Sequence, residues 1–176
     1  MKAVASWRSE DRHDAPCSFA LNMEDHVLER QLLLPIRQKD AWEFFSTPLN
    51  LARITPPYMG FEIMSEGAHM PIHSGMLIRY RVRPLIGIPL GWTTEIRNVD
   101  RPFGFTDVQL KGPFAKWEHH HRFIGTPQGI RIEDRVVYRL PFGPIGRLVH
   151  RALVRNRLEA IFDHRERTLR AIFAVE

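Results

Sequence analysis

The sequence predicts an α+β fold with a series of strands followed by a long C-terminal helix. Residues 117–123 and 130–140 alternate between apolar and polar side chains, with the period of two expected for a strand that has one buried face. Glycine and proline residues separate short apolar segments in the middle of the chain, which indicates strands joined by turns. After residue 144 the apolar residues recur at helical spacing to the end of the chain.

The individual elements can be assigned in order along the chain. Residues 27–34 alternate as a first strand, and residues 38–46 form a short helix with Ala41, Phe44 and Phe45 on its inner face. A second short helix is predicted at 48–54, because a proline is well placed at a helix start. Six further strands are predicted at 60–66, 74–84, 90–99, 103–111, 114–125 and 130–140.

The predicted C-terminal helix carries apolar residues on two nearly opposite arcs. One arc holds Ile145, Leu148, Val149 and Ala152; the other holds Leu158, Ile161, Phe162, Leu169 and Ile172. A straight helix could not bury both arcs against one sheet, so we expect a bend or break between residues 152 and 157. Arg147, Arg151 and Arg155 form a basic ridge at i, i+4 spacing, which is either a solvated face or a contact site for an anionic lipid or ligand.

Length and composition limit the class of protein. A chain of 176 residues suits a single domain, which we assign to residues 25–176, after a disordered tail at 1–24 that lacks any apolar pattern. Cys17 is the one cysteine, so a disulfide framework and a thiolate zinc cluster are excluded. No apolar run reaches a membrane-spanning length and no export signal is evident, so a cytoplasmic location is expected. The net charge of +5 is spread along the chain without a base-stacking motif, which argues against nucleic-acid binding.

The strand at 117–123 places two histidines on a largely apolar face. His119 and His121 share that face with Trp117 and Phe123, and Asp134 is the one acidic residue on the apolar face of the strand that follows. These residues could be metal ligands, a hydrogen-bonded pair that lines a cavity and transfers protons, or core histidines satisfied by their neighbours. The apolar surroundings favour the last two interpretations, so no metal and no other cofactor is predicted.

Several segments, in their order, resemble a known superfamily. They are residues 50–57, 112–123, 133–138 and 141–144, and the resemblance extends over roughly residues 25–172. The chain is similar to the SRPBCC superfamily, which includes START domains, the birch-pollen-allergen group and the polyketide cyclase/dehydrase-like proteins, and in particular to the bacterial ligand-binding SRPBCC domain group. The resemblance implies the helix-grip fold, with a curved, seven-stranded antiparallel sheet around the C-terminal helix, two short helices after the first strand, and a hydrophobic cavity.

The strand order of that fold brings more polar residues into line with the histidines. The first strand lies beside the last, so Arg30 would point inward at Asp134, while Asp107 and Gln109 would lie on the far side of the histidines. Such a row is either a buried polar network that fixes the strand register or part of a reactive site. The concave face would also carry the aromatic residues Tyr80, Trp92, Phe105, Trp117 and Tyr138, either as core or as the lining of a cavity.

Three functions are compatible with these features. The first is binding of a small hydrophobic molecule such as a lipid, a polyketide or an aromatic compound. The second is a cyclase- or dehydratase-like enzyme in which His119, His121 and Asp134 transfer protons on a bound carbonyl compound. The third is an accessory protein that contacts a membrane or a partner through its basic helix. The fold implied by the resemblance does not choose among them.

Overall fold

The computed structural model describes residues 25–83, 88–141 and 153–174. Within them the predicted order of elements is confirmed. The strands are β1 (His26–Leu34), β2 (Glu62–Ile63), β3 (Leu77–Val82), β4 (Leu90–Asp100), β5 (Gly104–Lys111), β6 (Lys116–Thr126) and β7 (Gly129–Arg139). The helices are α1 (Gln38–Phe45) and α2 (Leu49–Arg53), both after β1, and the C-terminal α3 (Arg155–Ile172). The predicted tail at 1–24 lies outside the described residues.

The seven strands form one antiparallel sheet in the order β1-β7-β6-β5-β4-β3-β2. Strand β6 lies between β5 and β7, and His121 is paired in register with Asp134 of β7. On the other side, His119 is paired with Asp107 of β5. Because antiparallel partners in register project their side chains to the same face, the two histidines are flanked by a carboxylate on each side.

The predicted inner face of β7 is confirmed by burial. Ile130, Ile132, Val136 and Tyr138 are all at most 2% exposed, and Asp134 among them is 8% exposed. An apolar face that carries one buried carboxylate needs a partner for that charge, since an isolated buried carboxylate is costly. The partners come from β6 and from α3.

Helix α1 covers one end of the sheet through aromatic packing. Trp42 is 4% exposed and packs edge-on against Phe105 and Phe123 of the sheet. The sequence pattern placed Ala41, Phe44 and Phe45 inward; Ala41 and Phe44 are buried, whereas Phe45 is half-buried and the missed Trp42 occupies the more central position.

Helix α3 docks on the sheet through one face. Leu158, Phe162, Arg165 and Leu169 are buried at i, i+4, i+7 and i+11, which is the spacing of a single helical stripe. Ile161 and Ile172, also predicted to face inward, are half-buried. A π-helical turn at 153–154 precedes the helix, but the first predicted arc lies at 145–152, outside the described residues. The same holds for Arg147 and Arg151 of the basic ridge, whereas Arg155 pairs with Glu159 at 3.1 Å.

The turn between β6 and β7 depends on a glycine. Gly129 has a φ of +131°, and a Cβ there would lie 2.1 Å from the carbonyl oxygen of Leu34. We therefore expect Gly129→Ala to lower the free energy of unfolding by about 1–3 kcal/mol, through backbone strain and displacement of β1.

Urea denaturation of this variant can be compared with Gly125→Ala on the same hairpin. A Cβ at Gly125 would meet only the side-chain oxygen of Gln38 at 4.0 Å, so a change within roughly 0.5 kcal/mol is expected. Equal costs for the two variants would show that the turn tolerates a side chain at Gly129.

Candidate functional site

A cavity of about 440 Å³ lies between the sheet and the helices. Most of its lining is apolar, with side chains from α1, α2, β3, β4, β5, β6 and α3. Seven of the residues predicted from sequence for the site contribute to it: Tyr80, Trp92, Phe105, Asp107, Trp117, His119 and His121. Part of the predicted polar row and most of the predicted aromatic residues therefore meet at this cavity.

Two histidines and two carboxylates form a compact polar cluster in one wall of the cavity. His119 Nε2 lies 2.8 Å from Asp134 Oδ1, and His119 Nδ1 lies 3.4 Å from Asp107 Oδ2. His121 Nε2 lies 3.1 Å from Asp107 Oδ2, and its Nδ1 lies 2.9 Å from Asp134 Oδ1, although this last contact lacks hydrogen-bond alignment. Every ring nitrogen of the pair thus faces a carboxylate oxygen.

The cluster is held in place by aromatic side chains. The ring of Phe105 stacks on His121 with centroids 4.3 Å apart, and the two imidazole rings are 3.8 Å apart. Trp117 donates a 3.3 Å hydrogen bond from Nε1 to Asp107 Oδ1. Because these contacts restrict the rotamers, the histidines and Asp107 keep one orientation at the cavity wall.

Helix α3 supplies a cation that sequence reasoning missed. Arg165 is 9% exposed and lines the cavity; its Nη1 lies 3.9 Å from Asp134 Oδ1, and its guanidinium lies over the ring of Phe162 at 4.9 Å. Its position between Phe162 and Leu169 on the apolar stripe was visible in the sequence. A charge at such a position is buried once the helix docks, so it requires an acidic partner.

The structure corrects the prediction that Arg30 pairs with Asp134. Arg30 stands opposite Asp134 in the β1–β7 register, but its side chain is 35% exposed and pairs with Asp163 of α3 at 3.6 Å. The long side chain reaches past the sheet face to the helix surface, where its charge stays hydrated. Arg165 approaches Asp134 instead.

Gln109 and Tyr138 are placed outside the cavity lining, contrary to the prediction. The side chain of Gln109 donates to the Phe114 carbonyl at 2.7 Å and accepts from the Phe114 N–H at 3.3 Å, so it closes the β5–β6 turn. Tyr138 is 2% exposed and packs against Phe114 and Trp117, behind the cavity wall. Both residues support the wall rather than face the cavity.

Comparison with known proteins gives matches only among solved structures. No family model and no curated protein matches the chain. Protein CV1439 from Chromobacterium violaceum is similar with a TM-score of 0.63 and 13% identity, covering 85% of this chain and 99% of its own. Protein Ms6760 from Mycobacterium smegmatis has a TM-score of 0.59 at 15% identity, and the match covers 90% of this chain and 98% of that protein. Major latex-like protein 151 from Panax ginseng has a TM-score of 0.59 at 10% identity, and the match covers 86% of this chain and 99% of that protein.

These matches cover nearly the full length of each neighbour. Together with the seven-stranded antiparallel sheet and the long C-terminal helix, they show that the chain has the helix-grip fold. At such low identity the likeness defines the fold and leaves the activity open. Among the described residues, no helix is long and apolar enough to cross a membrane.

Burial and mutual contacts shift the pKa values of the residues in the polar cluster, and they shift those of the two histidines in opposite directions. Burial alone would raise the pKa of Asp134, but the hydrogen bond from His119 and the adjacent His121 imidazole outweigh it and hold that pKa well below its usual value. Burial would likewise raise the pKa of Asp107, but His119 and His121 outweigh it and lower that pKa. Burial, reinforced by the neighbouring His121, lowers the pKa of His119. Burial also opposes the charged form of His121, yet the hydrogen bond to Asp107 and the nearby Asp134 carboxylate raise its pKa. The two carboxylates are therefore anionic at neutral pH.

Three of these side chains have the arrangement of metal ligands. Each of Asp107, His119 and His121 offers one donor atom, and these atoms all lie within 4.8 Å of one another. Imidazole nitrogen and carboxylate oxygen are common ligands of divalent transition metals. The same three residues line the cavity, whereas Asp134 does not.

Proposed function

We propose that this helix-grip protein binds a small hydrophobic molecule in the cavity between the sheet and the C-terminal helix. The observation that carries the proposal is a largely apolar cavity of about 440 Å³ that includes a compact cluster of polar groups. A cavity of this size and composition suits a small ligand, because apolar walls supply affinity and a few fixed polar groups supply orientation.

The lining supports a ligand that is apolar along most of its surface and polar at one end. Tyr80 and Trp92 present aromatic surface to the cavity. The Tyr80 hydroxyl and the Trp92 Nε1–H are both hydrogen-bonded to Thr94 Oγ1, so their polar atoms already have a partner. The polar groups Asp107, His119 and His121 lie together and would meet a hydroxyl or carbonyl oxygen of the ligand. A lipid, a polyketide or an aromatic compound has this chemistry.

Helix α2 offers a matched pair of variants to test the proposal. Leu51 is half-buried and lines the cavity, whereas Leu49 on the same helix is 48% exposed and does not. We expect Leu51→Trp to weaken binding of the neutral fluorescent probe N-phenyl-1-naphthylamine by about tenfold or more, since the indole would occupy ligand volume. Leu49→Trp should bind the probe as the wild type does.

Fluorescence titration measures both affinities, and circular dichroism checks that both variants are folded. Absence of saturable probe binding to the wild type, or equal affinities for the two variants, would contradict the proposal. If the probe binds as expected, native mass spectrometry of protein purified from its own host identifies the molecule that the cavity holds.

A second candidate function is turnover of the bound molecule by His119, His121 and Asp134. It is favoured by the position of both histidines in the cavity wall, each with a carboxylate within 3.1 Å. Asp134→Asn keeps the volume of the side chain while removing its charge. Loss of product formation from the co-purifying molecule, measured by liquid chromatography–mass spectrometry in a folded Asp134→Asn variant, would support catalysis.

A cytoplasmic location and a membrane or partner contact through the basic helix remain predictions from the sequence.

A further inference from the structure

The polar cluster contains three atoms that can ligate a metal and lie within 4.8 Å of one another. Asp107 Oδ2 lies 3.4 Å from His119 Nδ1 and 3.1 Å from His121 Nε2. Ligand atoms around a tetrahedral zinc ion with bonds of about 2.0–2.1 Å are about 3.3 Å apart. The two distances from Asp107 Oδ2 therefore match edges of a metal coordination sphere.

Asp134 approaches both imidazoles from the side opposite Asp107. Its Oδ1 lies 2.8 Å from His119 Nε2 and 2.9 Å from His121 Nδ1. A neutral imidazole has a single N–H, so the hydrogen bond from His119 Nε2 to Asp134 leaves the lone pair of that ring on Nδ1, which faces Asp107. A carboxylate that accepts from the second nitrogen of a ligating histidine is the usual outer partner of a metal site.

A metal ion at this point would replace a proton without leaving a charged ring behind. With both rings neutral, the two aligned contacts, from His119 Nε2 to Asp134 and from His121 Nε2 to Asp107, use one N–H each. The Nδ1 atom of His121 is buried 2.9 Å from Asp134 Oδ1 and has no aligned hydrogen bond. Transfer of the His121 proton from Nε2 to Nδ1 would give that atom a partner and free Nε2 to bind a metal beside Asp107.

We infer that Asp107, His119 and His121 form a site for a divalent transition metal of the zinc type, with Asp134 as the residue that positions both imidazoles. Three protein ligands leave at least one coordination position open, as in sites where a metal meets a ligand or water. That position lies on the cavity side, because the three ligands line the cavity and Asp134 does not. The inference holds whether or not an apolar ligand is bound.

Metal titration of the full chain, prepared without a polyhistidine tag and stripped with a chelator, tests the site. We expect about one equivalent of Zn²⁺ to bind tightly by isothermal titration calorimetry, and Co²⁺ to give the visible absorption of a low-coordinate nitrogen–oxygen site. His121→Gln and Asp107→Asn should each weaken Zn²⁺ binding by about 100-fold or more, and Asp134→Asn by about 10–100-fold.

His120→Gln is the matched control, because His120 lies between the two ligands but on the opposite face of β6, where it contacts Thr106. Its Zn²⁺ affinity should equal that of the wild type. The inference is overturned if the wild type binds no stoichiometric Zn²⁺, or if the ligand variants bind as tightly as His120→Gln.

Should a ligand variant fail to fold, ¹⁵N-resolved spectra of the wild-type histidine rings decide the matter. Addition of Zn²⁺ should shift the ring nitrogens of His119 and His121 and leave those of the other histidines in place; shifts confined to other histidines would refute the site. The hydrophobic-probe experiment with Leu51→Trp involves none of these residues, so failure of the metal site and failure of the proposed function are separable.

Discussion

Replacement of Asp134 by alanine is expected to lower the free energy of unfolding by about 3–5 kcal/mol. The carboxylate is 8% exposed, it contacts both imidazoles within 2.9 Å, and Arg165 approaches it from α3. Removing it takes the carboxylate away from the buried Arg165 guanidinium and from the His121 ring, and leaves His119 Nε2 without its hydrogen-bond partner. Urea denaturation measures the cost.

Glu133→Ala is the matched control for this prediction. Glu133 precedes Asp134 on the opposite face of β7, and its partners Arg122 and Arg131 are 39% and 43% exposed, so the change should cost less than about 1 kcal/mol. A cost for Asp134→Ala as small as that of Glu133→Ala would show that the cluster contributes little to stability.

A double variant separates loss of the carboxylate from burial of the unpaired cation. Methionine at position 165 keeps an apolar contact with Phe162 but carries no charge. Adding Arg165→Met to Asp134→Ala should therefore recover part of the lost stability, because the uncompensated buried charge is gone. If the double variant is less stable than Asp134→Ala, Arg165 contributes through other contacts.

Strand-face assignments could be predicted from the sequence because they need only local information. Alternation with a period of two identifies which side chains of β6 and β7 share a face, and this was sufficient to bring His119, His121 and Asp134 together. The short helices and the turns were equally local, since proline fixes φ and glycine allows conformations closed to other residues wherever they occur.

The partner of Asp134 could not be predicted in the same way. The strand order implied by the fold correctly placed Arg30 opposite Asp134, but register does not determine where a long, flexible side chain ends. Arg165 reaches the cluster across the interface between helix and sheet, and the rotation of α3 that allows this depends on packing of the whole helix. Asp107 was placed beside the histidines by the strand order, but the approach of its Oδ2 to a nitrogen of each ring depends on rotamers that sequence alternation does not determine.

Truncation of Phe162 to alanine is expected to cost about 2–5 kcal/mol, because a buried ring is lost where α3 meets the sheet. Phe162 is 6% exposed, its ring contacts His119 edge-on at 5.7 Å between centroids, and it carries the Arg165 guanidinium on its face. Ile161→Ala should fall at the lower end of this range, because Ile161 is half-buried on the same helix.

Arg167→Ala is the control for these truncations, because Arg167 is exposed on the same helix and its removal should change the free energy of unfolding by less than roughly 0.5 kcal/mol. Urea denaturation of the three variants measures the differences. If Phe162→Ala costs no more than Arg167→Ala, α3 does not dock through the Leu158–Phe162–Leu169 face. A large cost would instead tie the polar cluster to the helix, since the ring that anchors α3 also holds His119 and Arg165 beside the cavity.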